Sequence, residues 1–190
     1  LRNSSAASDV YKRQVLSYST SGLKDSINPG IYIKNLKTNS SKQIHMSHEK
    51  TKYFKLNLSN SGDKLAFVKD ADSTKTYQRP YELYLWDSSQ KNSKLILDMD
   101  SSPDGYKVSP NGDIKFSKNE SKLYFGLGLP EIVQDTLLLD EEIVNVEVWT
   151  YDEPRLYTVQ EKQIENDMKK SFQTVYHIKD DRFIQIATKE

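Results

Sequence analysis

One ten-residue phrase occurs twice in this chain, and each copy precedes a strand pattern ending in tryptophan. Leu58-Ser59-Asn60-Ser61-Gly62-Asp63-Lys64-Leu65-Ala66-Phe67 aligns with Phe116-Ser117-Lys118-Asn119-Glu120-Ser121-Lys122-Leu123-Tyr124-Phe125. Leu83-Tyr84-Leu85-Trp86 follows the first copy, and Val146-Glu147-Val148-Trp149 follows the second. Repetition at a spacing of about sixty residues is the mark of a modular architecture. Units built of strand, turn and strand point to the blades of a β-propeller, in which four-stranded sheets repeat around an axis. The positions that define the repeat are Ser59, Gly62, Leu65 and Trp86 in one unit, and Ser117, Leu123 and Trp149 in the next.

The expected fold is therefore all-β: a partial β-propeller of about three four-stranded antiparallel blades, with the ring not closed. Each blade buries its faces on its neighbours, and a closed ring needs about four to eight of them. The 190 residues hold fewer, so the chain reads as a piece of a larger propeller.

Outward from the repeat, Ile31 to Leu36 and Lys42 to Ile44 match Leu83 to Ser88 and Lys94 to Ile96 at a shift of about 52 residues. Both read as the outer hairpin of a blade. Asn60-Ser61-Gly62-Asp63 supplies residues that accept φ > 0, as a tight turn between strands requires. Leu65-Ala66-Phe67-Val68 is the short apolar run of a strand covered on both faces. Phe172 to Ile178 and Arg182 to Ala187 alternate and read as strands. The expected boundaries are a partial blade over 20–57, a blade over 58–100, and one or more blades over 114–190 with insertions at 131–143 and 151–170. Gln160 to Lys170, rich in helix formers, reads as a helical turn or an outward hairpin.

Residues 1–14 (LRNSSAASDVYKRQ) match no part of the repeat and resemble a translated adapter leader; they are expected to be disordered and non-native. The chain opens with Leu1 rather than Met, so its true N-terminus is expected to lie elsewhere. Lys+Arg and Asp+Glu both number 27, and the zero net charge removes the electrostatic case for nucleic acid. With no cysteine, neither a disulfide framework nor a thiolate metal site can form. No run reaches the ~18 apolar residues of a membrane span. The compartment stays open, with the periplasm or secretion favoured over the cytoplasm.

The repeats resemble those preceding the catalytic domain in the prolyl oligopeptidase family of serine peptidases. Ser59 to Phe67 is similar to the pattern S-x-D-G-x-x-L-A-F, with Asn60-Ser61 where Pro-Asp is usual. The second copy departs at Glu120, where the pattern has Gly. The stretch from Asp140-Glu141-Glu142 through Val146-Glu147-Val148-Trp149, Leu156 and Gln160 resembles a segment of dipeptidyl- and acylaminoacyl-peptidase-like proteins of Bacteroidetes-type bacteria. The resemblance covers about residues 20 to 190. It implies a propeller that gates peptide access to an α/β-hydrolase domain in cis, with peptides as substrates of the parent protein.

That chemistry needs a G-x-S-x-G nucleophile elbow with a later Asp and His, and the chain has no G-x-S-x-G. No catalytic, cofactor-binding or metal-binding residue is assigned, and no cofactor is expected. His45 and His48 read as a solvated loop pair without a third ligand, and His177 as a surface or inter-blade residue. Asp98 to Gly105 carries oxygen ligands at alternate positions, but its spacing fits a turn better than a calcium loop. Trp86 and Trp149 read as rings packed between blades. Asp140-Glu141-Glu142 reads as a solvated loop, with capture of a substrate amine as the functional reading. The alternative function is a stand-alone propeller binding protein or glycan in the cell envelope.

Overall fold

A computed structural model of the chain describes residues 15–21, 27–70, 78–131 and 150–189. Its strands form three antiparallel sheets, and in the first two neighbours in sequence are neighbours in space. The first sheet orders β1 (Val15–Thr20), β2 (Gly30–Asn35) and β3 (Ser41–Met46). The second orders β4 (Lys52–Leu58), β5 (Lys64–Asp70), β6 (Tyr81–Asp87) and β7 (Lys94–Leu97). In the third, β8 (Lys107–Val108) and β9 (Lys115–Phe116) both pair with β10 (Lys122–Gly128), followed by β11 (Phe172–His177) and β12 (Arg182–Gln185). Such up-and-down sheets, side by side, are propeller blades. The ring is not closed.

The alternation of β5 shows why these blades stack. Leu65 and Phe67 join Ile31, Ile33, Ile44 and Trp86 in one core between the first and second blades. Ala66 and Val68 point the other way and join Leu83, Leu97, Leu123 and Phe125 between the second and third. Successive strand residues face opposite sides, so a strand sandwiched between two blades must be apolar at every position. Leu65, Ala66, Phe67 and Val68 are all at most 1% exposed.

The repeat holds atom by atom at the turn. Ser59 N–H donates to the Lys64 carbonyl at 2.8 Å, and Ser117 N–H to that of Lys122 at 2.9 Å. The Ser59 and Ser117 hydroxyls accept from the Lys64 and Lys122 amides at 3.1 and 3.0 Å. Gly62 takes φ 84° and Glu120, at the same place, φ 55°. The cross-strand stacks recur too, as Tyr18 on Tyr32 (centroids 5.5 Å apart) and Phe67 on Tyr84 (5.4 Å).

Three details differ from the sequence expectation. Sheets begin at Val15, Lys52 and Lys107, ahead of 20, 58 and 114; in the second and third blades the inner strand precedes the turn that carries the recognisable phrase. The innermost strand of the third blade is split: Val108 faces Leu127 and Lys115 faces Tyr124, so residues 109–114 loop out of the ladder. Leu65 lies opposite Trp86, and in the next blade Leu123 lies opposite Tyr176. Tyr176 on β11 thus holds the register position of Trp86. The segment from Val146 to Trp149, the leader 1–14 and the 131–143 insertion beyond Glu131 lie outside the described residues.

Candidate functional site

Antiparallel order sorts the connections by end. Short turns at 36–40, 59–63, 88–93, 117–121 and 178–181 close one end of the blades, and the longer connections 21–29, 71–80 and 129–171 leave from the other. Helix α1 (Tyr157–Met168) belongs to the last of these and has no buried residue. At this long-connection end, between the second and third blades, lies a cavity of about 270 Å³.

Its apolar wall comes from Phe54 on β4 and Tyr81 at the start of β6, whose rings meet edge to face at 5.9 Å. Met168, at the end of α1, and Leu129 complete it. The polar floor is Lys107, fixed in the ladder opposite Gly128. Ser109 and Asn111, from the looped-out part of the inner strand, lie beside it.

Lys107 is a charge in the interior, its side chain 6% exposed. Desolvation of an ammonium is costly unless it is paired. The Lys107 Nζ donates to Glu131 Oε2 and stands 5.3 Å from the Tyr81 ring centre, so an anion and a π face share the compensation. Glu131 opens the 131–143 insertion; its own carbonyl accepts from Gln78 Nε2 at 3.0 Å. Beside it, Arg79 donates to the buried Asp70 carboxylate from Nε at 3.0 Å and from an Nη at 2.5 Å. Burial raises the Tyr81 phenol pKa, and the Asp70 charge adds to this.

The described repeat residues stand apart from the cavity, at the turn end and in the cores. Glu120, which breaks the glycine pattern, joins two blades there. Its carboxylate accepts from Ser61 N–H at 2.6 Å and Ser61 Oγ at 2.7 Å, and Lys64 Nζ is 3.8 Å away. Burial opposes its charge, yet the Ser61 and Ser59 hydrogen bonds and Lys64 hold its pKa below the usual carboxylate range. A second bridge, Lys55 to Asp113 at 3.2 Å, links the bulge of β4 to the looped-out segment of the third blade.

His45 is not in a solvated loop. On β3, it sits edge-on to Tyr53, Phe67 and Tyr84, with centroids 4.6–6.0 Å away. Its Nδ1 is 2.8 Å from the Ser93 hydroxyl, on the second blade. Burial lowers its pKa to about 4, with nearby Lys69 adding to the effect. His48 is exposed, and His177 lies 4.0 Å from Asp180. The Asp98 carboxylate accepts from Ser101 N–H and Oγ at 2.9 and 2.6 Å, which caps its own turn. Asp140-Glu141-Glu142 lies outside the described residues.

Sequence reading missed the cavity residues. Tyr106-Lys107-Val108 is too short a run to show a period, and neither Lys107 nor Glu131 stands in a motif. The one signal was a lysine inside an apolar triplet, which a strand covered on both sides can hold only with a partner.

No family model matches the chain, and no curated protein matches it. Three solved structures are similar to it in fold. An oligogalacturonate lyase in complex with manganese is 11% identical (TM-score 0.45), over 92% of this chain and 33% of that one. An acylaminoacyl peptidase in complex with a chloromethyl ketone is 13% identical (TM-score 0.48), over 96% and 25%. The β-propeller domain of the Trilobed protease from Pyrococcus furiosus, described as having an open velcro topology, is 16% identical (TM-score 0.50), over 98% and 44%. The chain spans less than half the length of each of them. Its sheets and their likeness to that propeller domain show a partial β-propeller, and the chain forms three of its blades.

Proposed function

We propose that this chain is the propeller portion of a serine peptidase of the prolyl oligopeptidase type, itself non-catalytic, that gates the passage of peptides to an α/β-hydrolase domain in cis. The observation that carries the reading is the gathering of the long connections on one end of the blades. The connection from β10 to β11 includes the segment from Asp140 to Gln160 that resembles peptidases of this type. One end thus carries the longer connections, placed to meet another domain, and the other carries the short turns between described strands. The likeness in fold to the propeller of a protease is consistent with this role. A gate of this kind works by exclusion: a rigid ring admits an extended peptide and refuses a folded chain, so selectivity needs no chemistry from the blades.

The parent gene, read past the codon for Glu190, tests the proposal. The expected result is a downstream G-x-S-x-G followed by an Asp and a His in hydrolase order. The parent protein then cleaves short peptides and spares folded proteins, and removal of the blades abolishes that size limit. If further blades follow and no nucleophile elbow appears, the protein is instead a stand-alone binding propeller.

A further inference from the structure

We propose that the cavity between the second and third blades is a carboxylate-binding site, occupied in this structure by the protein's own Glu131. The inference rests on the peptide-handling reading and names the peptide group that the blades hold.

The two members of the ion pair are anchored very differently. Lys107 is fixed by the ladder, opposite Gly128, with its side chain 6% exposed and its ammonium under the Tyr81 ring. Glu131 lies outside the sheets at the root of a connection, with its side chain 38% exposed. The buried cation is therefore a permanent feature of the floor, and an anion is required there at all times. The anion that fills the place is the exchangeable partner. Another carboxylate can take it without stranding the lysine, because one ion pair replaces another while Glu131 turns to water.

The surroundings fit such a guest. The cavity of about 270 Å³ carries Lys169 as a second cation. Lys169 pairs only loosely, at 3.4 Å, with Glu165, and both side chains are largely exposed. Among the described residues, two ammonium groups thus face one lining carboxylate. Ser109 and Asn111 offer polar groups beside the anion, and Phe54, Tyr81 and Met168 make an apolar wall for the attached side chain. A short peptide ending in an apolar residue matches this set, with its terminal carboxylate on Lys107.

Binding to the purified chain tests this with three probes: acetyl-Ala-Ala-Phe, its C-terminal amide, and acetyl-Ala-Asp-Phe-amide. Glu131→Gln keeps the shape of the side chain but removes the competing charge. On this variant the free acid is expected to bind about tenfold more tightly than on the unmodified chain, the scale of one charge-assisted contact. The amide gains nothing. A gain by the Asp-containing amide also supports the site and assigns it to acidic side chains rather than chain ends. Lys107→Met abolishes the gain, and near-ultraviolet circular dichroism checks that this variant is folded. If it is not, the comparison of the three probes on Glu131→Gln decides alone. Equal binding of all three probes there overturns the proposal. The peptidase reading would survive that result, since it stands or falls on the downstream gene.

Discussion

Glu120 shows how a residue that violates a local rule is retained by its neighbour. A non-glycine side chain at φ 55° costs about 1 kcal/mol relative to glycine, and the turn pattern has glycine there. The compensation is intermolecular in spirit though within one chain: the carboxylate ties Ser61 of the preceding blade through two short hydrogen bonds. Glu120→Ala keeps the strain and loses the bonds, and is expected to destabilise the chain by about 2 kcal/mol. Glu120→Gly relieves the strain, so its loss is expected to be smaller, about 1 kcal/mol. Urea unfolding followed by tryptophan fluorescence measures both; equal stability of Glu120→Ala and the unmodified chain would refute the bridge. His45 supplies a prediction in pH. Its pKa is held at about 4 in the folded chain, against 6.5 ordinarily, because burial disfavours the imidazolium. The unfolded chain therefore binds more protons between these values, and stability falls as pH is lowered through that window. From pH 6.5 to 4.5 the expected loss is roughly 2 kcal/mol. His45→Gln should flatten the slope. A slope unchanged in the variant would place the titration elsewhere.

At the scale of the element, the split inner strand of the third blade depends on two glycines in contact. A Cβ placed on Gly126 of β10 would lie 2.7 Å from the Gly112 Cα, and one on Gly112 would lie 2.6 Å from the Gly126 Cα. Residues 109–114 can loop out of the ladder only because the two backbones touch there. Gly126→Ala is expected to cost about 1–3 kcal/mol through overpacking and to add little once Gly112→Ala is present, since both break one contact. Thermal unfolding of the two single variants and the double variant gives the comparison, and full additivity would count against it. Much at this scale was legible in the sequence. The phrase at Ser59 and Ser117 located both turns, because turn geometry is written in adjacent residues, and alternation located β11 and β12. The split strand was not legible, since a two-residue ladder leaves no periodicity. Nor was the pairing of β11 with β10: the strand pattern at Trp149 came first in sequence, whereas partner choice is settled in three dimensions, across the long connection 129–171. The cavity was hidden for the same reason, as Lys107 and Glu131 acquire meaning only when a ladder and a connection bring them together.

At the scale of the molecule, two cores rather than one hold the blades among the described residues, and the second blade contributes to both. In such an array each blade is stabilised by its nearest neighbours. A lesion at one junction should then loosen the blades on that side first. Phe67 is fully buried in the first junction, and Phe67→Leu is expected to cost about 1–2 kcal/mol. Amide exchange should accelerate in β2 and β3 and stay slow in β10 and β11, as mass spectrometry of exchanged peptides would show. Uniform acceleration across all three sheets would mean a single cooperative unit and sink the nearest-neighbour view.

The carboxylate of Glu120 also gives each blade an address. Repeats that arise by copying begin as interchangeable parts, and any order of identical parts makes the same ring. Once one turn carries a glutamate that needs a serine amide in the preceding turn, and that turn carries the serine, the two copies are no longer equivalent. Transposing the second and third blades, or inserting a duplicate between them, would leave one acidic side chain without its donors and one donor pair without its acid. The order of these two blades is thereby recorded in their contacts.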